Sequence, residues 1–190
     1  MVRPKDLSSA TLILASTLFI TPADAQPIGN LITLFPFQRA EFTQQIDNLL
    51  ASKGLRGSFQ RDNCQETETA SGTVYSCDYS FYNMRYRLWQ KPGSERVALI
   101  TARPPYATRY NLGETASLGL SLVIAAIEGT DDDAKILAIT DRLRTAGRSM
   151  SGSSTVETNS NRYELNVGRS GYTFWAASRS DGTPATPGSP

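Results

Sequence analysis

Apolar positions recur along the chain with two different periods, and these periods mark the predicted elements. Within residues 39–53 the apolar side chains fall on one stripe of a helix, and Gly54 follows where a helix commonly ends. Within residues 73–81 apolar and polar side chains alternate, which is the period of a strand with one buried face. The pattern therefore predicts a helix followed by strands.

The first group of predicted strands is connected by short turns. Asn83 marks one turn and the Lys-Pro-Gly-Ser run at 91–94 marks another, while residues 65–72 are polar and typical of a turn. Short connections join antiparallel neighbours, so this region is predicted to be a four-stranded meander. Its strands are predicted at residues 57–63, 73–81, 84–89 and 95–102.

The second half again places helices before strands. Residues 114–128 are predicted to form a buried helix, with a strand at 118–124 as the alternative. Another helix is predicted over 131–146, because Thr130 can serve as its N-cap and can form a capping box with Asp133. Three strands complete the pattern, at residues 153–158, 162–167 and 172–178.

Together these elements predict an α+β fold, in which antiparallel meanders of about seven strands carry two or three helices on one face. Residues 26–179 are expected to form one domain, and a division into helix-plus-meander halves at 26–103 and 114–179 is the alternative. The Gly, Pro, Ser and Thr content of residues 180–190 predicts a disordered tail.

Residues 1–25 have the three parts of a secretory signal peptide. A basic start, an apolar run over 10–20 and a small-residue cleavage site over 23–25 follow one another. The apolar run is shorter than the roughly 20 residues that cross a bilayer. We therefore expect cleavage before Gln26, a periplasmic or secreted protein, and no transmembrane span in the mature chain.

Composition narrows the expected chemistry. The chain has no histidine, which argues against Ser-His-Asp and Cys-His catalysis and against the usual catalytic zinc sites. Its formal net charge is +1, so the charge balance gives no reason to expect nucleic acid as a partner. The sequence assigns no catalytic residue, no cofactor and no metal.

Cys64 and Cys77 are the chain's two cysteines. In an exported protein such a pair is expected to form a disulfide, and the spacing fits two neighbouring strands of a hairpin. Closing so short a loop stabilises the fold by about 3 kcal/mol in the chain-entropy description. A redox function is the less favoured alternative, because the pair lacks the C-x-x-C spacing.

Acidic residues are numerous, but their spacing indicates structural roles rather than a catalytic or metal site. Residues 131–133 are consecutive aspartates at a predicted helix start, where negative charge complements the helix dipole, and a metal site is the less favoured interpretation. A carboxylate hydrolase needs two suitably placed acids, and nothing in the sequence selects a pair. The available side chains are Glu66, Glu68, Asp78, Glu114 and Glu128.

The strand predicted at 84–89 carries the candidate binding residues. Alternation places Arg85, Arg87 and Trp89 on one face, opposite a set of apolar side chains. Arginine and tryptophan are enriched at binding hot spots, so this face is a candidate binding surface. The alternative is a solvated strand face on which Trp89 covers the sheet.

We therefore interpret the chain as an exported, non-catalytic binding protein whose partner is another protein or an envelope component. One alternative is a carboxylate-based hydrolase acting on envelope polysaccharide. A further alternative is a carrier of a small ligand, with Tyr75, Tyr79 and Phe81 lining a cavity between sheet and helix, although such residues more often belong to a core. The sequence does not indicate an oligomeric state.

Overall fold

The computed structural model describes residues 33–69, 72–91, 93–103, 114–145, 152–168 and 171–179. The predicted signal peptide and the predicted C-terminal tail lie outside these residues. The described helices are α1 (Arg39–Ser52), α2 (Glu114–Glu128) and α3 (Asp133–Arg144). The strands are β1 (Gln60–Thr69), β2 (Gly72–Phe81), β3 (Met84–Gln90), β4 (Val97–Arg103), β5 (Gly152–Glu157), β6 (Asn161–Gly168) and β7 (Gly171–Ser178).

All seven strands belong to one antiparallel sheet. Their order is β1-β2-β3-β4-β7-β6-β5, so each meander is built from sequence neighbours. The two meanders join where β4 pairs with β7, with Leu99 opposite Ala177 and Ala102 opposite Phe174. The predicted α+β fold, with antiparallel meanders and about seven strands, is confirmed.

The helices pack on one face of this sheet, which we call the helix face. Their buried side chains belong to one core cluster with alternate residues of the strands. Burying a side chain of this size contributes about 1.5 to 3 kcal/mol, so the cluster is the main source of stability. Its fully buried members include Ile46 of α1, Leu120 of α2, Leu143 of α3, and Leu88, Ile100 and Phe174 of the sheet.

The other side of the sheet is the distal face. Strand alternation turns every second side chain of each strand to it, away from the helices. A separate, smaller apolar cluster forms there. In the central strands the distal face carries Asp78, Arg85, Arg87, Trp89, Leu99, Thr101, Arg103 and Trp175.

The turn between β2 and β3 fixes how closely α2 approaches the sheet. Tyr82 and Asn83 both have positive φ, at 45° and 58°, as a two-residue hairpin turn of the primed type requires. Gly119 of α2 lies against this turn, and a Cβ atom built there would come within 2.7 Å of the Tyr82 Cβ. A glycine is therefore required where the helix meets the turn.

β1 lies later in the chain than predicted. The predicted strand covered residues 57–63, whereas β1 begins at Gln60 and continues through residues expected to be a turn. Its polar end still pairs with β2, and Thr73 donates a side-chain hydrogen bond of 2.7 Å to Glu68. Strand pairing uses backbone groups, so a polar run at the sheet edge can extend a strand that hydrophobic patterning does not reveal.

Two further details of the helices differ from prediction. The N-cap of α3 is Asp132, whose carboxylate accepts from the backbone N–H groups of Ala134 and Lys135 at 3.0 and 3.3 Å. The predicted capping box of Thr130 and Asp133 is therefore wrong, because an aspartate closer to the helix takes the role. The strand considered at 118–124 is also wrong, since these residues lie within α2.

The predicted disulfide is confirmed. Cys64 and Cys77 are bonded and lie directly opposite each other in the register of β1 and β2. Cys64 lies within β1 rather than at its end, because the strand continues to Thr69. The bond therefore ties the edge strand to its neighbour, and it does so on the side that packs under α1.

Candidate functional site

The three predicted binding residues lie on the distal face of β3. The residues that alternate with them are buried in the core of the helix face. Arg85 is exposed and Arg87 is half-buried, whereas Trp89 is only 8% exposed. The three side chains therefore share a face but differ in how far solvent reaches them.

Arg87 is held by two neighbours. Its Nε and Nη2 atoms donate to Asp78 Oδ1 and Oδ2 at 2.5 and 2.9 Å. Its guanidinium carbon lies 5.3 Å from the centroid of the Trp89 ring, which is a cation–π contact. A bidentate ion pair with a carboxylate fixes orientation as well as charge. Asp78 therefore balances the positive charge of Arg87, one of the two arginines predicted to bind a partner.

A second tryptophan joins this surface from the other meander. Trp175 packs against a small distal cluster that contains Trp89 and Leu99. Trp89 donates its indole N–H to Thr101 Oγ1 at 3.4 Å, whereas the buried indole nitrogen of Trp175 has no hydrogen-bond partner among the described residues. Sequence reasoning missed Trp175, because its place beside β4 depends on pairing between strands far apart in the chain.

The two tryptophans line a groove of about 160 Å³ on the distal face. Arg85 and Arg103, which also line it, are direct cross-strand partners, and both are exposed. Arg85 and Arg103 therefore bring two positive charges to the groove. Other lining residues include Asp78, Arg87, Thr101 and Thr173.

A second cavity lies between the start of α1, the β1–β2 pair and the connection from β3 to β4. Its volume is about 540 Å³. Arg39 lines it and places its Nη1 against the sulfur atoms of Cys64 and Cys77. The guanidinium carbon also lies 5.7 Å from the centroid of the Tyr75 ring. α1 thus brings a cation to the disulfide, an arrangement that no local sequence pattern indicates.

Glu128 is the carboxylate that the fold encloses most clearly within the described residues. Its side chain is 5% exposed, and Oε1 accepts from Thr158 Oγ1, Asn161 Nδ2 and Tyr163 Oη at 2.9, 2.8 and 2.6 Å. Lys135 pairs with Oε2 at 2.8 Å. Burial acts to raise the pKa of Glu128, but these hydrogen bonds outweigh it and lower the pKa. The side chain is therefore held as a carboxylate, joining α2 to α3 and to β6.

Several of the remaining acidic candidates are exposed or have a structural partner among the described residues. Asp132 caps α3, and Asp133 pairs with Lys53 at 2.6 Å. Glu114 is exposed in the first turn of α2, and Glu68 bonds to Thr73. No group of three or more Cys, Asp or Glu side chains is placed to hold a metal ion in this part of the chain.

The aromatic residues considered for a small-ligand carrier divide between two environments. Tyr79 and Phe81 are buried and pack against Phe59, with ring centroids 4.6 and 5.4 Å away. Burial also raises the pKa of Tyr79. Tyr75 is half-buried and lines the cavity beside Arg39. Two of the three side chains therefore pack in the core, and one faces a cavity.

Comparison of the chain with protein-family models, curated proteins and solved structures finds no significant match. Among the described residues, no helix combines the length and apolar character needed to cross a membrane. The groove between the two tryptophans and the cavity beside Arg39 are therefore the candidate functional sites.

Proposed function

We propose that this chain is an exported, non-catalytic binding protein of the cell envelope and that its distal face captures an acidic segment of another protein. The observation that carries the proposal is the groove between two tryptophans, which three arginines and one aspartate line. The net charge of the whole chain is +1, so this surplus of positive charge is local. Arginine and tryptophan anchors dominate binding energy, and charge complementarity orients the partner.

The size of the groove favours a protein segment over a free small molecule. Its volume of about 160 Å³ is below the range of about 300 to 1,000 Å³ that is typical of small-molecule pockets. Such a groove accepts one side chain of a larger partner between Trp89 and Trp175. The exposed pair Arg85 and Arg103 then lies beside that side chain and can contact carboxylates of the same segment.

The hydrolase alternative is less well supported. Glu66 and Glu95 both line the larger cavity, and both are exposed. A hydrolase that uses two carboxylates needs surroundings that make one an acid and the other a base or nucleophile. Glu66 and Glu95 are both exposed rather than enclosed, so binding remains the favoured function.

Export is part of the proposal. It is supported by the sequence pattern of residues 1–25, and a disulfide agrees with an oxidising compartment. Fractionation of the producing cells, followed by N-terminal sequencing, tests it. We expect a mature chain that begins at Gln26 in the periplasm or the medium. An unprocessed chain with two free thiols in the cytoplasm would overturn this part.

Site-specific photocrosslinking tests the binding surface. A photoreactive benzophenone amino acid replaces Thr173, which is exposed and lines the groove, in the full-length protein expressed in its own organism. The matched control places the same group at Ala138, which is exposed on α3. We expect a crosslink at position 173 to an acidic segment of one protein, and none to that segment from position 138. Crosslinks to glycan, or to the same products from both positions, would contradict the proposal.

The crosslinked segment is then synthesised without tryptophan and titrated into the purified protein. Both tryptophans of the chain lie on the distal face, so their fluorescence reports binding there. We expect the double variant R85E/R103E to bind about tenfold or more weakly, because two charge-assisted contacts become repulsive. The control variant R142E/R144E reverses two exposed charges on α3 and should bind like the unmodified protein. Equal weakening by both variants would reject the distal face.

A further inference from the structure

The guanidinium of Arg39 lies in an unusual environment for a cation. The side chain is half-buried, and no carboxylate of the described residues lies within ion-pair distance of it. Its Nη1 contacts are two disulfide sulfur atoms and, at 3.5 Å, Gln90 Oε1. Sulfur is a weak acceptor, so most of the donor capacity of Arg39 remains for another group.

The cavity beside Arg39 gives such a group room. Its volume of about 540 Å³ lies within the usual range for small ligands, about 300 to 1,000 Å³. The backbone N–H of Arg39 donates to Glu95 O at 3.3 Å, which fixes the start of α1 against the connection between β3 and β4. The cation is thus held at the wall of a cavity whose sides belong to three different parts of the fold.

We propose that this cavity binds a small ligand through a carboxylate group that pairs with Arg39. A guanidinium presents parallel N–H donors that match a carboxylate, and partial burial strengthens the pair relative to one in water. The proposal does not rest on the groove of the distal face, because the cavity and the groove share no lining residue.

The rim of the cavity indicates the rest of the ligand. Glu66 and Glu95 line it and are exposed, and Lys91 is the one further cation among its described lining residues. A ligand with an ammonium group a few bonds from its carboxylate matches this arrangement. Its carboxylate can pair with the half-buried Arg39, and its ammonium group can lie near Glu66 or Glu95. Amino acids and short peptides with a free C-terminus have this chemistry. The half-buried Tyr75 ring supplies an apolar wall.

NMR of the Arg39 side chain tests the proposal on the unmodified protein. The Nε–Hε resonance of Arg39 is followed while the standard amino acids and glycylglycine are added singly, with the corresponding C-terminal amides as matched controls. We expect a saturable shift of this resonance with at least one carboxylate ligand and no shift with its amide. Acetate and methylammonium separate the contributions of the two charges.

A variant pair completes the test. R39M should weaken binding of the active ligand by about tenfold or more, because a charge-assisted contact is lost. R56M removes an exposed arginine outside the cavity and should bind like the unmodified protein. If R39M does not fold, R39K, which keeps the charge but loses the bidentate geometry, takes its place. No shift with any carboxylate, or equal shifts with acid and amide, would overturn the proposal.

Discussion

The two faces of the sheet are built from the same strands but differ in how their side chains are buried. On the helix face, side chains such as Leu88 and Phe174 are fully buried in one large core. On the distal face, Trp89 and Trp175 form a small apolar cluster among arginines and threonines. Strand alternation places core side chains and the residues of the proposed binding groove on opposite sides of the same strands, so we expect single substitutions to affect stability or the proposed binding separately.

Ionic groups show the same contrast. Glu128, on the helix side, is 5% exposed and accepts three hydrogen bonds on one oxygen. The Arg87–Asp78 pair of the distal face has side chains that are 28% and 33% exposed. Solvent screens an exposed pair, whereas a buried carboxylate depends on its partners. The helix-side carboxylate should therefore matter more for stability.

The largest expected difference in the free energy of unfolding is between substitutions at two neighbouring residues of β7. F174A removes a fully buried ring from the helix face and should lower the free energy of unfolding by about 3 to 5 kcal/mol. T173A alters the adjacent, exposed residue of the distal face. It should change the free energy of unfolding by about 0.5 kcal/mol or less. Urea unfolding followed by circular dichroism measures both values. Similar losses in the two variants would show that the distal face is part of the stabilising core.

A smaller effect is expected for E128Q, with a defined pH dependence. Because the pKa of Glu128 is lower in the folded protein, the unfolded chain binds the proton first as the pH falls. The stabilisation is therefore fully present above the ordinary glutamate pKa of about 4.3 and is lost as the pH falls through the lower, folded value. E128Q should cost about 1 to 2 kcal/mol at neutral pH, because hydrogen bonds to a charged group become neutral ones.

The pH series provides the control for that prediction. Unfolding free energies of the unmodified protein and E128Q should converge as the pH is lowered through this range. K135M removes the more exposed partner of the same carboxylate, at 46% exposure, and should cost less than E128Q. A constant difference between E128Q and the unmodified protein at all pH values would show that the charge of Glu128 does not stabilise the fold.

A smaller effect than that of E128Q is expected for D78N on the distal face. It weakens a partly exposed ion pair and should lower the free energy of unfolding by about 0.5 to 1 kcal/mol. The same change releases Arg87 from its bidentate partner, so the tryptophan fluorescence should change more clearly than the stability does. A loss as large as that of F174A would place the Arg87–Asp78 pair among the main stabilising contacts.

Much of the fold could be predicted from local pattern. The helix at 114–128, the turn at Asn83 and the Cys64–Cys77 pair follow from hydrophobic period, turn preference and residue type. The polar end of β1 could not be predicted, because backbone pairing with β2 rather than side-chain burial maintains it. The cap of α3 was misplaced by two residues, since several neighbouring side chains are able to cap a helix.

The candidate site could be predicted only in part. Alternation alone places Arg85, Arg87 and Trp89 on one side of a strand. This placement does not depend on what packs against either side of the sheet. Trp175 reaches Trp89 only because β4 pairs with β7, and no local pattern specifies which strands meet across the sheet. The contact of Arg39 with the disulfide likewise requires α1 to pack over β2.

Local sequence specifies the period of each element, the lack of histidine side chains and the pattern that predicts export. These properties depend on residue identity and short-range geometry, which the chain carries before it folds. Long-range packing specifies which side chains meet, and it brings together the second tryptophan of the groove, the partners of the Glu128 carboxylate and the cation at the disulfide. Each of these contacts joins residues distant in the chain, and their proximity arises from the packing of a whole sheet against its helices.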